Sequence, residues 1–593
     1  MTRAVQTTAD GTMGALDEPL LLRDADRVKE HQQDDGPTSS DRSDEAGTDL
    51  PVVAQAAGPE QKAAPTPAAP APMPLPRAAA YLLAGIVIAI TQGLGSSLIS
   101  ANTQYVGGEI GTTSVETSWL IAAFMVPRAS LPLLLIKIRT QFGLRRFAEV
   151  GAVAYVLSLL VSFWMHDLTS AIVVQFLAGV AAAPMSTLAF LYLLEPFPPT
   201  LKMRVGLSLA LTLITLGSPL AQIVSPSLID IGLPHGFSLL SLGLALVCLA
   251  LVTRLPLTPQ PQAKVISLLD IVSYLLVAVG FGGLTVAFVT GTGYWWLEAR
   301  WLGILLVVSI MALTMTAAIE LNRKAPLLDI RWLTSPAIVH LTGALLVFRV
   351  VLSEQTSGAP GLFQQLGLGA AQMRTMYVVI VAATLCGGAL CAMIMKPGRE
   401  GRIHLVALAF VAIGAWADSQ ATVLTRPQQM YASQAMIAFA AGLFLPPAML
   451  KGMMSALAKG PNYLLSFIIV FLSSQSLGGL LGSAVFRSFV TLREKTHLAV
   501  LTDPIRLSDP LVAQRIGQIG AGLTPQIADP GQRNAQAVAT LARDLANQAY
   551  VMAYNDAFFL IFVIAVGALT ILSLHLAFLA VQTGRRTDAP VPA

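Results

Sequence analysis

From residue 80 onward, the chain alternates between long apolar runs and short polar loops. Each run has about 17–25 residues, the length that an α-helix needs to cross the hydrocarbon core of a bilayer. The pattern predicts an all-α membrane protein with about fourteen transmembrane helices. The predicted spans are 80–102, 117–136, 147–165, 170–194, 205–229, 237–253, 269–290, 301–320, 337–355, 373–395, 403–419, 430–450, 464–487 and 556–580.

Basic residues lie mainly in every second loop. One set of loops carries roughly eighteen Lys and Arg residues, whereas the short loops of the other set carry about two. Because basic loops stay in the cytoplasm, we expect a multi-pass protein of the bacterial inner membrane with both termini in the cytoplasm. The predicted cytoplasmic loops begin at Lys137, Glu195, Arg254, Leu321, Lys396, Lys451 and Val581.

Three segments depart from the apolar pattern. Residues 1–78 hold about thirteen acidic and seven basic residues followed by an Ala/Pro stretch, which predicts a disordered cytoplasmic tail. Residues 581–593 form a second cytoplasmic tail. The long outer loop 488–555 is mixed in charge, and its part 533–555 predicts a soluble helix that runs into the last span.

Composition narrows the function classes. The chain is 54% hydrophobic and only 12% charged, so most of it lacks the polar surface of a soluble domain. Its net charge of +4 follows the loop pattern and does not indicate nucleic acid binding. We find no phosphate-binding Gly-rich loop, no His/Cys cluster with metal spacing and no nucleophile motif. We therefore expect neither an enzyme nor a bound cofactor or metal.

Two basic loops, 137–146 and 396–402, occupy matching places if the spans are grouped as six, two and six. This layout resembles the fourteen-helix drug/proton antiporter family of the major facilitator superfamily. Shorter stretches also resemble that family, and they lie in order along residues 80–580. They are Ser118-Trp119, Phe142-Gly143-Leu144-Arg145-Arg146, Gln175 with Gly179 and Pro184, Glu195-Pro196-Phe197-Pro198-Pro199, Pro326-Leu327-Leu328-Asp329, and Gly478-Gly479 with Gly482.

The resemblance implies a major facilitator fold with a defined division of the chain. Residues 79–253 would form an N-terminal six-helix bundle, 254–336 two linker helices, and 337–580 a C-terminal six-helix bundle. The outer loop 488–555 resembles that of the adaptor-dependent multidrug efflux subgroup. It implies a periplasmic adaptor protein and an outer-membrane channel as partners, beside the small-molecule substrate and the lipid bilayer.

The chain departs from the family at several coupling positions. The place of the usual first-helix acid is Gly95, and Ile172 stands where relatives have an Arg implicated in proton coupling. The basic loop has Ile136 where the motif usually starts with Gly. The fifth-span antiporter motif is reduced to Gly217 and Pro219 with their neighbours. The proton gradient therefore stays an inferred energy source.

Two arginines lie inside predicted spans, where a charge is costly and should face protein or water. Arg349 in the ninth span either binds an anionic substrate group, pairs with a gating acid, or bonds backbone carbonyls between helices. The same functional and structural alternatives hold for Arg128 in the second span. Gln92, Ser96, Ser100 and Asn102 give the first span a polar face that either lines a cavity or bonds neighbouring helices.

Glu354 is the candidate for the proton-carrying acid. The alternative is a boundary carboxylate in headgroup water, and we expect Asp418 and Glu195 at span ends to be solvated. His340 and His575 are weaker candidates for a proton relay. Gating or close packing is expected at five positions, which are Gly217, Pro219, Gly478, Gly479 and Gly482. The cytoplasmic basic loop adds the candidate residues Arg139, Gly143, Arg145 and Arg146.

Three hypotheses follow. The first is a secondary efflux transporter that exports amphipathic organic compounds or drugs by alternating access, driven by inward proton flow. The second is a dedicated exporter of one anionic metabolite, such as a siderophore or an aromatic acid, with Arg349 as the anion clamp. The third is a transporter-like sensor or scaffold.

Overall fold

The computed structural model describes residues 73–198, 201–232, 235–259, 262–323, 326–506 and 508–587. Within these ranges the chain consists of helices and short connections, with no β-strand. Most of the predicted N-terminal tail and the end of the C-terminal tail lie outside the described residues.

The first part of the chain, up to residue 254, forms nine α-helices within the described ranges. They are α1 (Leu75–Ala101), α2 (Thr103–Ile110), α3 (Ser114–Ser130), α4 (Pro132–Phe142), α5 (Leu144–Val161), α6 (Leu168–Leu194), α7 (Leu207–Thr215), α8 (Gly217–Asp230) and α9 (Gly236–Arg254). A 3-10 turn Ser162–Trp164 follows α5, and a π turn Lys202–Gly206 precedes α7.

The rest of the described chain continues in the same way. Its helices are α10 (Leu268–Tyr294), α11 (Arg300–Leu321), α12 (Ile330–Leu333), α13 (Pro336–Val351), α14 (Ala359–Gln365), α15 (Ala370–Ile394), α16 (Glu400–Asp418), α17 (Tyr431–Lys459), α18 (Pro461–Thr502), α19 (Pro510–Gly522) and α20 (Pro530–Thr587). A π turn Glu354–Gly358 and a 3-10 turn Pro427–Met430 complete the regular structure of the described ranges.

The predicted spans all coincide with helices. In the described ranges, twelve helices are long and apolar enough to cross a membrane, and two bent helix pairs raise the number to fourteen. The all-α membrane architecture with about fourteen spans is therefore confirmed. The grouping into six, two and six stays a prediction.

The two bent pairs are the second and fifth predicted spans. The chain bends by 49° between α3 and α4, and by 41° between Lys202–Thr215 and α8. Pro132 begins α4, and Gly217 with Pro219 begins α8; a proline lacks the N–H that would continue the helical hydrogen bonds. Helix α17 also contains two prolines, Pro446 and Pro447, and it continues through both.

Local sequence signals start several spans. Thr113 and Glu116 form a reciprocal capping box at α3, in which each side chain bonds the other's backbone N–H. Ser267 and Asp270 form the same box at α10. These caps satisfy N–H groups that have no partner in the first turn of a helix.

The buried apolar side chains form two large clusters. One cluster involves α1, α5, α6 and α9, and the helices around it are called the first bundle. The other involves α13 and α15–α18 together with α20, and the helices around it are called the second bundle. Helix α10 packs against α3 on one side and α18 on the other, and α11 packs on α10. The pair α10–α11, which the sequence predicts as linker helices, thus contacts helices of both clusters.

Two helices extend well beyond the length of a span. Helix α18 has 42 residues and α20 has 58, so the helix predicted over 533–555 is present and continues into the last span. The extensions pack against each other and are joined where Arg493 and His497 contact the same carboxylate oxygen of Asp556 at 2.6 and 2.7 Å. Helix α19 packs on α20.

A buried ion network joins α4, α10 and α11. Asp270 Oδ1 accepts from Lys137 Nζ at 2.7 Å and from Arg323 at 2.8 Å, and Arg323 also donates to Glu320 Oε1 at 2.8 Å. Glu320 Oε2 accepts the backbone N–H groups of Leu327 and Leu328. Both carboxylates are almost fully enclosed, but two cations and several N–H groups compensate them.

We expect Asp270→Asn to destabilise the protein, because it leaves Lys137 and Arg323 without a charged partner in an enclosed site. Breaking a buried pair in this way costs about 3–5 kcal/mol. The matched control is Glu149→Gln, which removes the partner of Arg145 in a pair whose side chains are 38% and 71% exposed and which is worth about 0–1 kcal/mol. Thermal unfolding in detergent should show a clear fall in Tm for the first variant alone. Equal Tm values for the two variants would contradict the role of the network.

Candidate functional site

The main polar cluster inside the second bundle lies where three helices end or begin. Glu354 follows α13 in the π turn, Asp418 is the last residue of α16, and Gln434 lies in the first turn of α17. The cluster is at the far end of α13 from the ion network. The connection between α16 and α17 is short and reverses the direction of the chain. Side chains at the end of α16 and at the start of α17 therefore lie close together.

Gln434 bridges the two carboxylates. Its Nε2 donates to Glu354 Oε1 and to Asp418 Oδ2, both at 2.8 Å. Ser433 Oγ also donates to Asp418 Oδ1. Glu354 is 0% exposed and Asp418 is 2% exposed, and no Lys, Arg or His in the described ranges forms an ion pair with either.

The cluster is also incompletely satisfied. Glu354 Oε2 and Gln434 Oε1 are buried and have no hydrogen-bond partner among the described residues. Most buried polar atoms in proteins are bonded, so unsatisfied atoms beside two acids are unusual. An arrangement of this kind can gain a hydrogen bond by binding a proton or a polar group.

These positions correct two expectations. Glu354 is enclosed by protein, so the alternative of a boundary carboxylate in headgroup water is wrong. Asp418 was expected to be solvated, and it is buried. The sequence did contain a usable signal, because Ser433 and Gln434 follow Asp418 across one short connection and must lie near it.

Arg349 lies on α13 where this helix crosses α18. An added Cβ at Gly478 would meet Arg349 Cβ at 3.2 Å, and one at Gly479 would meet the guanidinium itself. At Gly482 it would meet the backbone O of Arg349 at 3.0 Å. The three glycines thus lie directly against Arg349 and its backbone, and a side chain at Gly479 would meet the guanidinium.

Arg349 has no ion-pair partner among the described residues. Its Nε is buried and unbonded, as is Nε2 of Gln475, one turn before Gly479 on α18. Glu354, five residues later, accepts a hydrogen bond from Gln434 instead. Positions five apart on a helix lie about 140° apart around its axis and do not face each other. The structure therefore excludes a pairing of Arg349 with this acid and leaves its donors available.

A second polar cluster lies in the first bundle. Arg128 of α3 donates to Gln92 Oε1 of α1 at 3.1 Å, and Ser186 of α6 donates to the same oxygen at 2.8 Å. The Arg128 guanidinium also lies 5.9 Å from the ring centroid of Phe124. The structure brings together Arg128 and Gln92, and Ser186 is a partner that the sequence did not indicate.

The rest of the polar face of α1 is divided between two roles. Asn102 donates to Ser225 Oγ of α8 at 2.7 Å, which is the helix-bonding alternative. Ser96 and Ser100 bond carbonyls of their own helix. Their side chains can line a cleft, but they do not form a site together with Gln92.

Gly217 has the close contact expected of a packing residue. An added Cβ at this position would lie 2.6 Å from the Cα of Gly93, so α1 and α8 approach through two glycines. Pro219 lies in the first turn of α8, at the bend. Across the two bundles, α8 packs against α15, and Arg204 donates to Ala392 O at 2.8 Å.

The basic side chains of the cytoplasmic loop lie in different surroundings. Arg145 and Arg146 are exposed, and Arg139 Nε is buried without a partner. Gly143 has φ +85°, a conformation that favours glycine, and its Cα faces Gln262. The cation that enters the ion network is Lys137, which the sequence did not single out.

The two histidines proposed as proton relays are both exposed. His340 contacts the carbonyl of Pro336 in its own helix, and His575 lies on the outer face of α20. Neither position is within the acid cluster. Among the described residues, no group of three potential metal ligands occurs.

No family model matches the chain, and no curated protein matches it in sequence. Solved structures do match. The human organic anion transporter MFSD10 (TETRAN) superimposes with a TM-score of 0.51 at 13% identity, over 83% of this chain and 100% of the other. The proton:xylose symporter XylE of E. coli gives a TM-score of 0.50 at 12% identity, over 82% of this chain and 95% of the other.

The chain has the major facilitator superfamily fold. At these identities the likeness establishes the fold alone. The prediction of a multi-pass major facilitator architecture is thereby confirmed. Membership of the fourteen-helix drug antiporter family stays a prediction.

The close α13–α18 crossing should depend on Gly482. Gly482→Ala places a methyl group 3.0 Å from backbone atoms, which cannot rotate away. The control is Gly567→Ala on α20, where no atom lies within 4 Å and alanine gains helix propensity of about 1 kcal/mol. We expect a lower Tm for Gly482→Ala and an unchanged or higher Tm for Gly567→Ala. A wild-type Tm for both variants would show that the crossing is not tight.

Proposed function

We propose that the protein is a secondary active transporter that exports amphipathic organic compounds across the bacterial inner membrane. The two bundles would rock about a central site and expose it to each side in turn, as this fold permits. Both termini would lie in the cytoplasm, in line with the basic loops. The mostly apolar interior with a few polar side chains suits substrates that are partly apolar.

The buried pair Glu354 and Asp418 is the observation that supports proton coupling. Two carboxylates bonded to one amide nitrogen cannot both be charged at low cost in an enclosed site, because each disfavours the charge of the other. A single shared proton relieves the repulsion. Since the pair lies near the outer ends of α13 and α16 in the proposed orientation, it would take its proton from outside.

This acid pair would replace the first-helix acid of the family, whose place is Gly95. An acidic side chain would not fit at Gly95 without a shift of its neighbour, because an added Cβ there would meet the hydroxyl of Tyr155. The pair lies in the other bundle, on helices that pack against one another and against α20. A change in its charge would therefore act directly on the packing of the second bundle.

We expect Glu354→Gln and Asp418→Asn to uncouple transport, because each removes a group that can lose the proton. In proteoliposomes with an imposed pH gradient, the variants should accumulate at least about tenfold less substrate than the wild type. Substrate exchange in the absence of a gradient should persist. Asp503→Asn, at an exposed carboxylate of the outer loop, is the control.

Two outcomes would count against this proposal. Gradient-driven transport that survives in both variants would exclude the acid pair as the coupling site. A wild-type protein that moves no tested compound, while ligands still change its conformation, would favour the sensor or scaffold hypothesis.

A second candidate function is the export of one anionic metabolite, such as a siderophore or an aromatic acid. It is supported by Arg349, which is half-buried, whose Nε is enclosed and unbonded, and which has no acidic partner among the described residues. The solved relative MFSD10 is itself an organic anion transporter. A guanidinium with available donors is well suited to a carboxylate, which it can bind through two parallel hydrogen bonds.

We expect Arg349→Ala to reduce transport of organic anions by at least about tenfold and to spare neutral compounds of similar size, since a lost charge-assisted bond costs roughly 1.5–3 kcal/mol. Arg374→Ala, at an exposed arginine in the first turn of α15, is the control. Flux of both substrate types should be measured in proteoliposomes. Equal loss for anions and neutral compounds would assign Arg349 a folding role.

The extended helices α18 and α20, with α19, suit a protein partner in the periplasm. The outer parts of α18 and α20 are joined by the contacts of Arg493 and His497 with Asp556. Trp296 in the α10–α11 loop also donates a hydrogen bond to Ser488 of α18 at 2.7 Å. A helical extension held in this way is a firm docking surface. We include in the proposal a periplasmic adaptor that binds these helices and leads to an outer-membrane channel.

A further inference from the structure

The first bundle contains a cavity of about 280 Å³ that is separate from both polar clusters. Its walls come from α1, α2, α5, α6, α8 and α9, at the end of the bundle where α2 lies. The volume is near the lower end of the range for small-molecule sites, which suits a compact ligand. Apolar side chains such as Leu98, Val106 and Leu159 form most of the wall.

The floor of the cavity is buried and carries polar groups without adequate partners. Gln175 is 5% exposed, and its Nε2 has only the thioether sulfur of Met165 at 3.9 Å. Ser241 is also 5% exposed, and no hydrogen bond joins its hydroxyl to another described residue. A buried amide and hydroxyl of this kind gain from a ligand that reaches the floor.

The rim is exposed and combines one carboxylate with aromatic rings. Glu109 of α2 lines the cavity and is exposed, as are His166 and His235. Tyr105 and Phe237 also line the cavity, with ring centroids 5.8 Å apart in an edge-to-face arrangement. Carboxylates and aromatic faces both attract organic cations, whereas an anion would meet the charge of Glu109.

Gly95 contributes to the cavity wall from α1. This position lacks the acid found in the resembling family, so the site carries its negative charge at the rim and not in the bundle interior. On the opposite side, Leu228 and Ile229 belong to α8, which packs against α15 of the second bundle. A ligand in the cavity therefore touches a helix that joins the two bundles.

We propose that this cavity is an accessory binding site for small organic cations with an apolar, aromatic body. The apolar part occupies the space between α1, α6 and α9, and the positive charge lies at the rim beside Glu109. The site does not depend on the transport function proposed above, since binding alone defines it.

The test uses the purified full chain and a permanently charged probe, N-methyl-4-phenylpyridinium, with 4-methylbiphenyl as its neutral isostere. We expect Glu109→Gln to weaken binding of the cation about fivefold and Glu109→Lys to weaken it further, as for a solvent-exposed ion pair. Binding of the neutral isostere should not change. Glu109 is exposed, so neither substitution disturbs folding.

Three further variants complete the experiment. Ser241→Phe fills the floor and should abolish binding of both probes, whereas Glu298→Gln and Glu298→Lys, at an exposed acid of the α10–α11 loop, should have no effect. Unchanged affinity of the cation in both Glu109 variants would overturn the proposal, because the probe would then bind elsewhere. Equal effects of the Glu109 and Glu298 variants would overturn it as well, since they would reflect surface charge only.

A lipid ammonium headgroup has the same chemistry as the probe. The binding measurement is therefore repeated with added phosphatidylethanolamine. Displacement of the probe by this lipid would support the site with a lipid cation as its occupant, and persistence of binding would support a soluble organic cation.

Discussion

The placement of charge in an apolar surrounding governs this structure. A chain with so few charged residues must enclose several of them in protein, and each enclosed charge needs partners that replace water. In the ion network, Asp270 and Glu320 receive two cations and several N–H groups, so the charges are balanced. This balance holds α10 and α11 to the end of α4, where the basic loop begins.

The other enclosed charges are not balanced in this way. Glu354 and Asp418 share the neutral amide of Gln434, and Arg349 has no acid beside it. Both sites lie in the second bundle, on helices that meet through close contacts. A protein that only needed a stable fold would gain from neutral side chains at these places. Their retention is physically reasonable if the protein uses the imbalance to bind a proton or an anionic group.

Close helix packing determines where these groups can act. Glycines at 478, 479 and 482 let α18 approach the backbone around Arg349, and Gly93 with Gly217 does the same between α1 and α8. Because the contacts at Gly217 and Gly482 are backbone contacts, they tolerate little adjustment. We therefore expect the two bundles to move relative to each other along α8 and α15. The helix crossings at Gly217 and Gly482 should stay fixed.

The sequence by itself determined the helices. Apolar run length and basic-loop alternation located the spans, since these depend on local composition and on the thickness of a bilayer. Single residues that are costly in lipid, such as Arg128 and Arg349, were also recognisable. Only the tertiary structure decided how they are partnered: that Gln92 and Ser186 bond Arg128, that Lys137 meets Asp270, and that Asp418 is buried beside Glu354. Partners of this kind come from helices distant in sequence, and their distances follow from packing that no local pattern encodes.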